Sequence, residues 1–160
     1  ANRKKQEHPK LLNEMHEHIA EIYSTKNSYG VETDDLVATY WKTLTDDLGH
    51  NNVIIVSLDK DYKQLPCLMY NYHYKHQAIY NISLYEALYN FYEQMIVGDT
   101  ADNVNYCKGY GKAYAKKLFK DCKTHYQFTK KTYELFKTIY KSKAKLKYIQ
   151  CYNLLKLRTE

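Results

Sequence analysis

Three short acidic motifs carry the residues best suited to chemistry. They are Glu32-Thr33-Asp34-Asp35, Asp59-Lys60-Asp61 and Asp99-Thr100-Ala101-Asp102-Asn103. Singly, each is ordinary, since helix starts and Gly-Asp turns often carry carboxylates. Together, seven converging carboxylates pose a physical problem. Like charges about 4 Å apart repel by roughly 4 kcal/mol at an effective dielectric of about 20. Divalent cations or protonation make such a cluster tolerable. No His or Cys stands within the motifs, so the donor set is hard oxygen, which suits Mg²⁺ or Mn²⁺. Two such ions about 3.5–4 Å apart serve in-line phosphodiester hydrolysis.

A second constellation follows the third acidic motif. Gly109-Tyr110-Gly111 forms a tight turn that opens a helix near Lys112. Glycine removes the side-chain obstacle, so backbone N–H groups there can approach a phosphate closely. Lys108, Lys112, Lys116 and Lys117 add positive charge. Such a contact reads the nucleic-acid backbone and not the base sequence.

The elements that must position these groups are read from periodicity. Leu12, Met15, Ile19 and Ile22 predict an amphipathic helix over residues 9–24. His8, His16 and His18 are read as surface residues, because no HExxH pattern links them. A turn is expected at Asn27-Ser28-Tyr29-Gly30. A helix follows, with Leu36, Tyr40, Leu44 and Leu48 as its apolar stripe, and stops at Gly49-His50-Asn51-Asn52. The apolar run 53–57 reads as a buried strand of the parallel kind, and Tyr70–Tyr74 as a second strand. Ser83 and Glu86 form a capping-box pattern before a helix over Leu84–Val97. Residues 98–111 are turn-rich. Helices are expected over Lys112–Phe119, Thr129–Lys141 and Lys145–Leu157. The alternation of helix, turn and buried strand is that of a layered α/β fold. Asp59 and Asp61 then fall at the carboxyl end of a strand, where such folds build sites. Asp34 and Asp35 fall in a first helical turn, where the macrodipole favours carboxylates.

Charge is divided along the 160 residues. The first 105 hold 9 Lys+Arg and 15 Asp+Glu, net −6, while the last 55 hold 15 and 3, net +12. An acidic half joined to a basic half suggests nucleic acid beside a metal-binding carboxylate site. The length bounds the chain to one domain or part of one. No apolar run approaches the roughly 20 residues of a membrane span, and the N-terminus has no apolar signal region. Five Gly and two Pro exclude collagen-like or low-complexity classes. Cys67, Cys107, Cys122 and Cys151 form no CxxC pair and are read as reduced packing residues of a cytoplasmic protein.

The ordered motifs resemble the 5′-nuclease family. This comprises phage flap endonucleases, phage 5′-exonucleases of the ribonuclease H kind and the 5′-nuclease domain of bacterial DNA polymerase I. Its Glu-Ala-Asp-Asp motif resembles Glu32-Thr33-Asp34-Asp35. Its strand-end Asp-x-Asp followed by Gln-Leu resembles Asp59-Lys60-Asp61 with Gln64-Leu65, and its Gly-Asp-x-x-Asp-Asn resembles Gly98-Asp99 with Asp102-Asn103. The likeness covers roughly residues 1–120. It implies an α/β, PIN-like core over residues 1–97, incomplete in this chain. A helix-three-turn-helix with a basic helical C-terminus would span residues 98–160.

By that resemblance, Glu32, Asp34, Asp35 and Asp59 belong to the tighter metal group, and Asp61, Asp99 and Asp102 to the second. Arg3 matches an arginine that contacts the scissile phosphate. Gly109 and Gly111 match the turn of the family's DNA grip, which often holds K⁺ in its loop, and Lys108, Lys112, Lys116 and Lys117 are read as DNA-binding residues around it. Implied partners are duplex DNA with a 5′ flap or 5′ end and RNA–DNA hybrids, in the host cytoplasm for a phage member.

Tyr106 stands where the family has its first loop glycine, and the usual lysine after the last glycine is displaced to Lys112. The family's Asp-bearing first strand, its second Asp and its helical arch find no counterpart in these 160 residues. The expected function is therefore a metal-dependent 5′-nuclease that needs an upstream segment or a separate N-terminal half-chain. Two alternatives stand beside it: a non-catalytic module gripping duplex DNA, and a Tyr-rich interaction scaffold.

Overall fold

A computed structural model describes residues 9–27, 29–75 and 77–159. Nine elements are described: helices α1 (Leu12–Ile22), α2 (Thr33–Leu48), α3 (Leu84–Val97), α4 (Lys112–Leu118), α5 (His125–Tyr140) and α6 (Ala144–Leu155), and strands β1 (Ile54–Val56), β2 (Leu68–Asn71) and β3 (Ala78–Asn81). Short 3₁₀ turns lie at His50–Asn52, Lys60–Gln64 and Lys141–Lys143. The fold is α/β, mostly helix, with one small mixed sheet. The sheet order is β1-β2-β3, β1 pairing parallel with β2 and β2 antiparallel with β3. Among the described residues, no helix is long and apolar enough to cross a membrane.

Several expectations hold. Ser83 caps α3 in a reciprocal capping box with Glu86, which satisfies two otherwise orphaned donors. The strand expected after Asn52 forms and is parallel. His16 and His18 are exposed. All four cysteines are buried and free. Burial pushes the Cys67 thiol up to about 11, and those of Cys107 and Cys151 up to about 12. They are therefore protonated packing groups.

Other expectations are corrected. Of the α1 stripe, Leu12 is half-buried and Met15, Ile19 and Ile22 are exposed. On α2 the buried face is Ala38, Trp41 and Thr45, and the stripe Tyr40, Leu44 and Leu48 faces outward. Trp41 decides this, because its large ring finds the sheet. β1 is buried only at Ile55, leaving Ile54 and Val56 at 47% and 58% exposure. The second strand ends at Asn71 and not at Tyr74, because the Asn71 side chain accepts the His73 N–H at 2.9 Å and bends the chain away. Strand β3 (Ala78–Asn81) has no counterpart among the expected elements. Helix α5 begins four residues earlier than expected, where Thr124 and Gln127 make a second capping box.

Two hydrophobic clusters result. The smaller joins Ala38 and Trp41 to Ile55, Leu65, Met69 and Ala87, and Leu157 reaches it from the far end of the chain. The larger is helical, built on Tyr92, Met95, Ile96, Phe119, Phe128 and Phe136. Each fully buried phenylalanine there contributes about 1.5–3 kcal/mol. Tyr92 stacks on Phe128 at 5.5 Å, and its hydroxyl shares a 2.6 Å hydrogen bond with Thr129. The chain has 19 Tyr against 4 Phe, and several other tyrosines, among them Tyr89, Tyr110, Tyr133 and Tyr152, also make ring contacts. Helix α3 runs between the clusters, giving Ala87 to one and Phe91–Ile96 to the other. In this way α3 carries the acidic turn at its end onto a fixed base.

Candidate acidic cavity and lysine-rich turn

The acidic residues sit at three chain reversals. Glu32 occupies the N-cap position of α2, and Asp34 and Asp35 fill the first turn, where exposed N–H groups favour negative charge. Asp34 Oδ1 accepts the Asp35 N–H at 2.9 Å. Past β1, Ser57 Oγ accepts the Asp59 N–H at 3.0 Å. Asp59 Oδ1 then accepts the Asp61 N–H at 2.9 Å, which caps the following 3₁₀ turn.

The third reversal depends on glycine. Gly98 ends α3 at φ +82°, and a Cβ there would lie 2.2 Å from the Val104 carbonyl oxygen. The close approach lets Asp99 and Val104 exchange backbone hydrogen bonds of 2.8 and 2.7 Å. The loop swings Asp99 inward, to 2% exposure.

Asp99 and Asp61 are linked but unlike. Asp99 accepts from the Ala101 N–H at 2.8 Å and pairs with Lys60 Nζ at 2.9 Å. Gln94 Nε2 donates to Asp61 Oδ1 at 2.9 Å and lies 3.3 Å from Asp99 Oδ2. Burial would raise the Asp99 carboxyl, but Lys60, the Ala101 amide and Gln94 together hold it below its ordinary range. Asp61 is pushed upward, first by burial and then by the charge of Asp59, which outweigh the Gln94 hydrogen bond. The Lys60 ammonium is held above its ordinary value by Asp99, against its own partial burial.

A cavity of about 300 Å³ gathers Glu32, Asp34, Asp35, Asp61 and Asp102 from all three motifs, walled on one side by residues 153–158. Asp59 and Asp99 are not on its wall, although Gln94 ties Asp99 to Asp61. A second cleft of similar size holds Lys60, Lys63 and Lys112 and shares Asp61 with the first. Gly109 takes φ +90°, and Gly111 precedes α4. Lys108, Lys112, Lys116 and Lys117 are exposed around that turn. Arg3 lies outside the described residues.

The all-oxygen donor set suits a hard divalent ion, but its placement does not yet do so. Among the described residues, no three Asp, Glu, His or Cys side chains stand close enough to hold one. Two cations and one amide occupy the carboxylates instead: Lys60 at Asp99, Arg158 at Asp35 and Gln94 at Asp61. Lys60 was legible only as the middle of Asp-x-Asp. Gln94 and Arg158 gave no sequence signal, since both reach the site from distant elements. No family model, no curated protein and no solved structure matches the chain.

Proposed function

We propose that this chain is part of a metal-dependent, structure-specific 5′-nuclease that hydrolyses DNA phosphodiesters, with a PIN-like core and a helix-three-turn-helix grip. The observation that carries the reading is the double placement of Asp61. It lines the carboxylate cavity with Glu32, Asp34 and Asp102, and it lines the lysine cleft with Lys60, Lys63 and Lys112. A strand of nucleic acid gripped at the lysine turn would thus run toward the acids. Mg²⁺ or Mn²⁺ is the cofactor class that this donor set suits.

The reading also needs a further segment. Parallel strands are ordinarily covered on both faces, yet among the described residues β1 is an edge strand, with Ile54 and Val56 exposed. An upstream strand or a separate N-terminal half-chain at that edge would complete the sheet and add carboxylates. One observation favours the alternative of a non-catalytic DNA-binding module: Lys60 and Arg158 already neutralise two of the acids.

Cleavage of a 5′-flap duplex under Mg²⁺ or Mn²⁺, with and without an added family N-terminal segment, separates the two. Metal-dependent cleavage lost in Asp34→Asn supports the nuclease. Duplex binding without cleavage in either arm assigns the binding module.

A further inference from the structure

Residues 155–158 are fastened at successive points along the acidic cavity. After α6 ends at Leu155, the strand-like tail meets the side chain of Gln64, itself buried. Gln64 Nε2 donates to the Leu155 carbonyl at 2.9 Å, and Gln64 Oε1 accepts the Leu157 N–H at 3.0 Å. One amide thereby replaces the strand partner that the tail lacks. Leu157, at 5% exposure, drops into the smaller core beside Trp41. Its burial fixes the direction of the next residue. The Arg158 N–H then donates to Asp35 Oδ1 at 2.7 Å, while Arg158 Nε stands 3.7 Å from Asp35 Oδ2. Both oxygens of Asp35 face the tail.

We propose that residues 156–158 form a latch closing one side of the acidic cavity, with Gln64 as its pin and Asp35 as its catch. Asp35 thus holds the tail and is not a cation ligand. The latch stands on the hydrogen bonds alone; only the statement about cations rests on the nuclease reading. The latch also gives the basic helical half a direct attachment to the acidic half, 123 residues away in sequence.

Amide hydrogen exchange, read by NMR on the whole chain, tests this. The Arg158 and Leu157 amides should exchange slowly in the wild type. A hydrogen bond to a charged group is worth about 1.5–3 kcal/mol, so Asp35→Ala should speed Arg158 exchange roughly tenfold or more. Asp35→Asn, which keeps an acceptor oxygen, should retain most of the protection, and Asp34→Ala should leave it unchanged. The Ile82 amide, bonded to the Cys67 carbonyl in the core, reports whether each variant remains folded. Unchanged Arg158 exchange in a folded Asp35→Ala protein overturns the latch. Millimolar Mg²⁺ should leave the wild-type Arg158 amide protected. Release of that amide by Mg²⁺ would mean that Asp35 turns to the ion, and overturns the proposal. If Mg²⁺ perturbs no amide around Glu32, Asp34 and Asp61 even with the N-terminal segment added, the nuclease reading fails, and the Asp35→Ala arm still decides the latch.

Discussion

Asp61 and Asp99 are the same residue type, share the Gln94 amide, and are pushed in opposite directions. Asp99 is the less exposed to solvent, yet its partners favour the charged form. Asp61 has one amide partner and a neighbouring negative charge in Asp59, so the neutral form gains. These directions fix the sign of a pH effect. An unfolded aspartate titrates near about 3.9. The Asp61 value lies above its unfolded one, so its ionisation weakens the fold, and acidification from pH 7 first relieves that penalty. The Asp99 value lies below its unfolded one, so its stabilisation is full above the unfolded range and fades as pH falls through its folded value. Urea midpoints between pH 7 and pH 3 should therefore rise slightly and then fall. Asp61→Asn should abolish the rise and keep the fall. A variant that retains the full rise would refute the assignment to Asp61.

At the scale of elements, what was legible depended on how local the determinant was. The capping box at Ser83 and Glu86 needs only neighbours, and α3 begins where the sequence places it. The buried face of α2 is not local: Leu36-Tyr40-Leu44 and Ala38-Trp41-Thr45 are both helical stripes, and the sheet chooses the one bearing Trp41. Strand β3 was invisible because four residues pairing with β2 make no periodic signal of their own. The three acidic motifs were legible as chain reversals, but their distances were not, because Gln94 and Arg158 arrive from other elements and Lys60 turns from its own motif to Asp99. Gly98 tests the one reversal that is sterically forced. Gly98→Ala meets a carbonyl oxygen at 2.2 Å and a positive φ, a combination that should cost about 1–3 kcal/mol. It should lower the thermal midpoint and free the Ala101 amide from Asp99, seen as faster exchange at Ala101. Gly109→Ala has a positive φ but open space around the added carbon, so it should cost about 1 kcal/mol or so and leave Ala101 protected.

Across the whole molecule, the formal charge of +6 is the balance of two opposed regions, and they behave differently toward a polyanion. The acidic cavity repels phosphate, and the exposed lysines beside Gly109 and Gly111 attract it. Attraction of this kind works by release of counterions from the duplex, at a slope of about −0.9 in log affinity against log salt for each phosphate neutralised. Lys112 is the lysine that stands both at the turn and on the cleft shared with Asp61. Lys112→Ala should therefore flatten the slope by about one unit on random duplex DNA, uniformly across sequences. Asp61→Asn should strengthen binding without changing the slope, because it removes repulsion and adds no phosphate contact. Fluorescence anisotropy titrations at several KCl concentrations measure both quantities. Duplex binding that ignores salt, or a Lys112→Ala slope equal to the wild type, would separate the lysine turn from nucleic acid and leave the two regions without a common ligand.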